Sequence, residues 1–401
     1  MELYLLGAIL LATLPLDVTS GPVDQHATSQ TQTLYNVLHK VARDSSRILV
    51  GKHLPTLFGL YGGHSPYWLY EHNGKQEAWM YNPDMAHSNH ADELCDPCAL
   101  TNDFPAIAGF DFSMIGNDIE DAWVYLLQKA HDRGAIITFS FHTNNMVTGK
   151  GPWIGGDHGS FHVIQKLLPG GDHYSKFTAA MDKIADFVKR KMVDKNGHLI
   201  PIIFRPWHEL DGGWFWWGMN NDAHNSVDDI KHLYQNTVTY LRDHKGVHNF
   251  LYAFSPDCGG RFDDDDALYP GNSYVDIIGT DCYLTPNRGA DYLKTAIDKV
   301  VTKAEANGKI PALTETGVIQ EDLTKRSHFF TQDMLHTFTS SSGMRMAYML
   351  TWNNQHQGNG EYSVYDPYPG HPLANDYMTF YHDGRTFFLK DLKSQYSELY
   401  H

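Results

Sequence analysis

The sequence is poor in positive charge and has no long apolar run after its first residues. Its 401 residues carry 31 Lys and Arg against 47 Asp and Glu, a formal net charge of −16. Because nucleic acids bind basic surfaces, this excess of acidic residues argues against a nucleic-acid partner. Beyond residue 20 no stretch is long and apolar enough to span a bilayer, so we expect no membrane partner either.

Several common functional motifs are also missing. No Gly-rich phosphate-binding turn follows an apolar run, which disfavours a nucleotide-binding fold. The 24 histidines include no His-Glu-x-x-His motif, which argues against a metal hydrolase. We therefore expect neither a metal nor another cofactor. The acidic run at 263–266 lacks EF-hand spacing and predicts a solvated loop rather than a calcium site.

The first 20 residues have the character of a secretory signal. An apolar run covers 3–16, and Val18 and Ser20 precede a cleavage point at Gly21. Glu2 and the absence of Lys or Arg are atypical, and a membrane anchor is the alternative, although the run is short for that role. We expect a secreted protein with a signal peptide at 1–20. An N-terminal arm or first helix would follow at 21–40, and one catalytic domain at 41–401.

Only four cysteines are present. In an oxidising compartment two disulfides are the first expectation. Cys258 and Cys282 each follow a strand-like run, so they are predicted to pair between neighbouring strand ends. Cys95 and Cys98 could close on each other or form a redox motif, but no thioredoxin-like pattern surrounds them. A zinc site would need a second pair of soft ligands, which the sequence does not offer.

Eight apolar runs alternate with amphipathic helices. The runs cover 47–53, 105–112, 135–142, 199–209, 249–257, 275–283, 309–317 and 347–354. Continuous apolar runs are typical of parallel strands buried on both faces. Helical stripes at 119–130 and 293–304, with weaker ones at 177–188 and 227–241, lie between them. The pattern predicts an α/β fold, a single-domain (β/α)8 TIM barrel with a long loop insertion at 54–102 after the first strand. A doubly wound open sheet is the alternative.

The most informative stretch is PIIFRPWHELDGGWFWWG at 201–218. An apolar strand ends in Arg205, His208 and Glu209, and glycines and four aromatic residues follow. A second glutamate, Glu315, ends the seventh run. Strands four and seven lie across a barrel mouth, so the two carboxyls are predicted to approach each other at its C-terminal face. Two carboxyls placed in this way are typical of a glycosidase active site. The alternative is structural, with Glu209 paired to Arg205.

The segment resembles the acid/base motif of glycoside hydrolase family 26. This is a family of retaining β-mannanases and relatives in the clan of barrels with catalytic glutamates on strands four and seven. Most of that clan has Asn before the acid/base glutamate, and His208 in its place is typical of this family. Shorter matches extend over nearly all eight strands and include Gly109-Phe110-Asp111, His142, Gly279 to Tyr283, Thr314 to Gly317, and Thr351-Trp352.

The resemblance implies a retaining endo-β-1,4-mannanase that acts on a mannan-type polysaccharide, and we expect the protein to be a monomer. It implies Glu209 as general acid/base and Glu315 as nucleophile, with Tyr283 hydrogen-bonded to the nucleophile. The implied substrate-binding residues are His142, His208, Trp214, Tyr283 and Trp352, and we expect Arg205 to bind substrate as well.

One departure from the family pattern is Asn353. Many family mannanases have a basic residue there that contacts substrate away from the cleaved bond, so subsite preference is open. The same scaffold also serves β-1,3-1,4-glucanases and β-1,3-xylanases, which are the nearest alternatives. An inactive barrel that only binds polysaccharide is a rival of another class, and the presence of both glutamates argues against it.

Overall fold

The computed structural model describes residues 21–87, 94–154, 162–219, 224–260, 266–357 and 361–400. The predicted signal segment at 1–20 and most of the acidic run at 263–266 lie outside these ranges. Within them, no helix combines the length and the apolar character that crossing a membrane requires.

Eight parallel strands form a closed barrel, as predicted from the eight apolar runs. They are β1 (Ile48–His53), β2 (Ile107–Asp111), β3 (Ile136–Ser140), β4 (Ile202–Phe204), β5 (Phe250–Phe254), β6 (Ile277–Leu284), β7 (Ile310–Val318) and β8 (Tyr348–Thr351). Each strand pairs with the next, and β8 pairs with β1 to close the barrel. The strands are buried almost throughout, because barrel side chains and surrounding helices cover both faces.

Helices surround the barrel. In the described part of the chain the α-helices are α1 (Ser29–Asp44), α2 (Asp96–Thr101), α3 (Glu120–Arg133), α4 (Val163–Leu167), α5 (Tyr174–Lys191), α6 (Val227–Thr239), α7 (Ala290–Ala306), α8 (Thr337–Ser340), α9 (Ala374–Tyr381) and α10 (Leu389–Gln395). Two π-helical segments, Tyr240–His244 and Phe329–His336, continue α6 and precede α8. The four helical stripes read from the sequence correspond to α3, α5, α6 and α7.

Helix α1 covers the amino-terminal face of the barrel. Thr28 caps it by accepting a hydrogen bond from the Thr31 amide. The Thr28 amide donates to the carbonyl of His248, just before β5, and Val23 N donates to Asp276 Oδ1 at 2.7 Å, just before β6. The segment expected as an arm or first helix is therefore a helix that packs against the bottom of the barrel.

Two loop structures extend the opposite, carboxyl-terminal face. The insertion after β1 forms an antiparallel sheet of Phe58–Gly59, Trp68–His72 and Lys75–Met80. The loop after β8 adds the strand pair Gln355–His356 and Tyr362–Ser363. Tyr70 of the insertion stacks on His356 with ring centroids 4.8 Å apart, which joins the two. A last short strand, Thr386–Phe387, pairs with the start of β1.

Both expected disulfides are present. Cys258 bonds to Cys282, which links the loop after β5 to β6, and Cys95 bonds to Cys98 at the start of α2. Both bonds lie near the carboxyl-terminal face and constrain the loops that surround the candidate site.

Candidate active site

Glu209 lies in a turn after β4 rather than at the end of a strand. The strand ends at Phe204, five residues earlier than the apolar run predicted. Trp207 and Glu209 have φ values of 55° and 51°, a left-handed conformation that is uncommon away from glycine. A hydrogen bond from Glu209 N to the Ser255 carbonyl, 2.8 Å long, holds the turn against the end of β5. The turn directs the Glu209 carboxyl into the barrel mouth.

Glu315 reaches the same cleft from β7 through an irregularity in the strand. The pairing of β7 with β6 shifts register between Leu313 and Glu315, so Glu315 faces Asp281 across the ladder. A bulge of this kind bends a strand and re-aims a side chain. The strand is otherwise buried along its whole length, so Glu315 is supported on a rigid element.

Arg205 bridges two carboxylates. Its Nη1 lies 2.5 Å from Asp281 Oδ2, and its Nη2 contacts Glu315 Oε1. The Tyr283 hydroxyl donates to the other Glu315 oxygen, Oε2, at 2.8 Å. Both oxygens of Glu315 therefore accept hydrogen bonds from fixed donors. Arg205, which we expected to bind substrate, is buried at 4% exposure and pairs with Glu315 and Asp281 rather than with Glu209.

Glu209 has the opposite electrostatic environment. Burial, together with the charges of Asp281 and Glu315, raises the pKa of Glu209 well above its usual range. Trp214 Nε1 donates to Glu209 Oε2 at 2.6 Å, which opposes the shift without cancelling it. Burial thus favours the protonated form of one carboxyl, while its neighbour is paired with a cation. Two carboxyls in such different environments can take different roles in proton transfer.

A buried chain of polar groups reaches the cleft from β2. His142 Nδ1 lies 2.5 Å from Asp111 Oδ2, and His142 Nε2 lies 3.0 Å from His208 Nε2. Asp111 raises the pKa of His142, although burial opposes this shift. Burial and the charge of Arg205 lower the pKa of His208 well below its usual range. One of the two facing ring nitrogens donates and the other accepts. Within the described residues His208 Nδ1 is buried and has no partner.

Aromatic residues line the remaining cleft. The Trp352 ring stacks on His53, with centroids 4.0 Å apart and planes inclined by 4°. Burial lowers the pKa of His53 to about 3, so the supporting ring is neutral. Gly109 on β2 is required here, because a Cβ at that position would lie 2.8 Å from His53 Nδ1. Phe215 packs edge-on against His142 and also contacts His208.

The structure also brings in residues that the sequence analysis did not single out. His53 ends β1, so the same strand-end criterion that found Glu315 would have found it. Tyr365 and Asp366 lie in an irregular loop after β8, where no periodicity indicates which side chains face inward. Asn353, the departure from the family pattern, is 2% exposed and donates its Nδ2 to Gln355 Oε1 at 2.8 Å.

One group of described side chains lies close enough to share a metal ion. Atoms of His208, Asp281 and Glu315 lie within 4.8 Å of one another. Two of the three already bind the Arg205 guanidinium. Because that buried cation would repel a metal ion at such short range, the arrangement suits the fixing of a carboxylate better than metal coordination.

Comparisons with known proteins agree with this geometry. The family model for glycosyl hydrolase family 26 matches residues 23–357. The chain is 34% identical over 314 residues to a mannan endo-1,4-β-mannosidase of Bifidobacterium adolescentis, covering 71% of this chain and 30% of that protein. It is 27% identical over 374 residues to a mannan endo-1,4-β-mannosidase of Bacillus subtilis strain 168, covering 87% and 92%. It therefore spans less than a third of the first relative and most of the second.

Solved structures of similar proteins share the barrel. The catalytic domain of a Bacillus sp. JAMB-750 GH26 endo-β-1,4-mannanase superposes with a TM-score of 0.77 at 31% identity, over 94% of this chain and 95% of that chain. A double mutant of a Cellulomonas fimi endo-β-1,4-mannanase gives 0.75 at 31% identity, over 92% and 78%.

Proposed function

Because this chain belongs to glycosyl hydrolase family 26, we propose that it is a secreted, retaining endo-β-1,4-mannanase. Its substrates are mannan, glucomannan or galactomannan. It is a glycoside hydrolase by family, and the similar proteins named as mannanases support the choice of substrate. The observation that carries the mechanism is the contrast between Glu315, bonded to Arg205 and Tyr283, and Glu209, whose burial favours the protonated form.

In the first step Glu315 attacks the anomeric carbon while Glu209 gives its proton to the glycosidic oxygen. The bond between carbon and oxygen breaks, the leaving saccharide departs as an alcohol, and a glycosyl ester forms on Glu315. In the second step Glu209, now ionised, takes a proton from water. That water attacks the same carbon, releases Glu315 as a carboxylate and yields a product with the original configuration.

Arg205 and Tyr283 position the nucleophile throughout this cycle. They fix both Glu315 oxygens, and Arg205 also stabilises the carboxylate when it leaves in the second step.

His142 is the member of the histidine pair that a sugar hydroxyl can reach, because its side chain is 22% exposed. His208 is only 1% exposed and hydrogen-bonds His142, so it orients the His142 ring. Trp214 and Trp352 provide ring surfaces for neighbouring sugars.

The proposal is tested by incubation with mannan, galactomannan, lichenan and β-1,3-xylan. We expect internal cleavage of the mannans to manno-oligosaccharides, unaffected by a strong chelator, with the β-anomer as the first product seen by NMR. Exclusive cleavage of lichenan or β-1,3-xylan would indicate one of the other family activities. An α-anomer as first product would contradict retention, and binding to mannan without cleavage would indicate an inactive polysaccharide-binding barrel.

Secretion is tested separately. Two disulfides suit an oxidising compartment, and residues 1–20 have the pattern of a cleaved signal. On expression of the full chain in a eukaryotic secretion host, we expect the protein in the medium with Gly21 as its first residue. A variant without residues 2–20 should remain in the cells. Recovery of uncleaved protein in the membrane fraction would instead favour an anchor.

A further inference from the structure

The loop after β8 places a tyrosine, Tyr365, beside the catalytic carboxyls. Its ring centroid lies 6.1 Å from that of Tyr283, the residue that hydrogen-bonds Glu315. A Cβ at Gly317, just past Glu315 on β7, would lie 2.3 Å from Tyr365 Cδ1. The phenol ring therefore packs on the backbone of β7 in space that exists only because residue 317 is glycine.

A buried polar network fixes the loop in this position. Tyr365 N donates to Asn354 Oδ1 at 2.7 Å. The next residue, Asp366, accepts hydrogen bonds from Lys52 Nζ at 2.6 Å and from Thr351 Oγ1 at 2.7 Å. The side chains of Asn354, Asp366, Lys52 and Thr351 are all buried. The network ties the loop to β1 and β8, so Tyr365 is held by the barrel itself.

The hydroxyl of Tyr365 keeps a hydrogen that it can donate. Gln357 Nε2 donates to Ser363 Oγ at 2.6 Å, and the Ser363 side chain in turn hydrogen-bonds the Tyr365 phenol. Since a serine hydroxyl has one hydrogen, giving it to the phenol oxygen leaves the phenol hydrogen unused by Ser363. Burial and the charge of Glu315 raise the pKa of Tyr365 to about 12, which keeps that hydrogen in place.

We propose that Tyr365 contacts the sugar bound next to the cleaved bond, with its ring as a wall of the subsite and its hydroxyl as a hydrogen-bond donor. The inference rests on the proposed glycosidase function. It is supported by the position of the ring between Tyr283 and Gly317, beside the residue that hydrogen-bonds Glu315. Tyr365 is only partly buried, so a bound sugar can reach its side chain.

The test compares Tyr365→Phe and Tyr365→Ala with Tyr362→Phe. Tyr362 belongs to the same loop, but its ring contacts His72 and His356 on the side of the inserted sheet, so it is a matched control. For each variant kcat and KM are measured on mannotetraose and mannohexaose, and the melting temperature is recorded.

We expect Tyr365→Phe to lower kcat/KM about 5- to 10-fold, the loss of one neutral hydrogen bond, with an unchanged melting temperature. Tyr365→Ala should lower it about 100-fold, and Tyr362→Phe should stay within about twofold of wild type. Both Tyr365 losses should be equal on the two oligosaccharides, because the contact lies beside the cleaved bond.

Three results would overturn the proposal. Both Tyr365 variants could retain kcat/KM within twofold of an active wild type. The loss could be confined to mannohexaose, which would place Tyr365 at a distant subsite. Tyr365→Phe could retain full activity while Tyr365→Ala loses activity together with melting temperature, which would make the ring a packing element for Tyr283. A wild-type protein that cleaves no mannan would instead refute the proposed function.

Discussion

Replacement of Glu315 with alanine is expected to lower kcat on mannan by roughly 10⁴-fold or more, because no covalent intermediate can form. The variant should fold, since Arg205 keeps its second partner, Asp281, at 2.5 Å. Loss of the side chain leaves a cavity beside Arg205 and Tyr283 that a small anion can occupy. With an activated aryl β-mannobioside, azide should restore turnover and yield the α-mannobiosyl azide, identified by NMR.

The stereochemistry of that product is the decisive measurement. Azide in the space of the lost carboxylate attacks from the side opposite the leaving group, so a single displacement inverts the anomeric carbon. Glu305→Ala is a suitable control, because Glu305 is an exposed glutamate that pairs with Arg345 on the surface. Substantial residual activity in Glu315→Ala, or azide that produces no α-azide, would show that Glu315 is not the nucleophile.

The barrel could be predicted from the sequence because its strands are buried on both faces. The run at 249–257, for example, contains the unbroken apolar stretch Phe250–Phe254, which is β5. The prediction fails at the end of β4, where the run extended to 209 and the strand ends at Phe204. Pro206 and the left-handed residues Trp207 and Glu209 end the strand. A hydrophobicity pattern does not report backbone conformation, so the end of the strand could not be predicted from it.

The site was less predictable than the fold because its ion pairs join residues that are distant in the sequence. That Glu209 and Glu315 face one cleft could be inferred from the order of the strands, because strands four and seven lie across the barrel mouth from each other. That Arg205 pairs with Asp281 and Glu315 could not, because the nearer partner in sequence is Glu209, and the choice depends on a register shift in β7. Tyr365 was missed because an irregular loop has no period from which an inward direction can be read.

Replacement of Glu209 with alanine is expected to affect substrates according to their leaving groups. On mannan, whose leaving saccharide needs a proton, kcat should fall about 10²- to 10⁴-fold. On a dinitrophenyl β-mannobioside the first step should be nearly unchanged, because dinitrophenolate leaves without a proton. The second step then lacks its base, so the glycosyl ester on Glu315 should accumulate, visible as a burst of dinitrophenol and as added mass on the protein.

Azide and pH separate the role of Glu209 from that of Glu315. In Glu209→Ala azide attacks the ester already formed on Glu315, so the second displacement should give the β-mannobiosyl azide, opposite in configuration to the product of Glu315→Ala. The raised pKa of Glu209 means that its acid form persists above the pH at which an exposed glutamate ionises. Wild-type kcat/KM on mannan should therefore fall as pH rises through that pKa, and the fall should be absent for Glu209→Ala on the aryl substrate.

An equal loss on mannan and on the aryl substrate, or an alkaline limb that persists without Glu209, would assign the proton to another group. Tyr283 is not that group, because burial and Glu315 raise the pKa of Tyr283 well above its usual range.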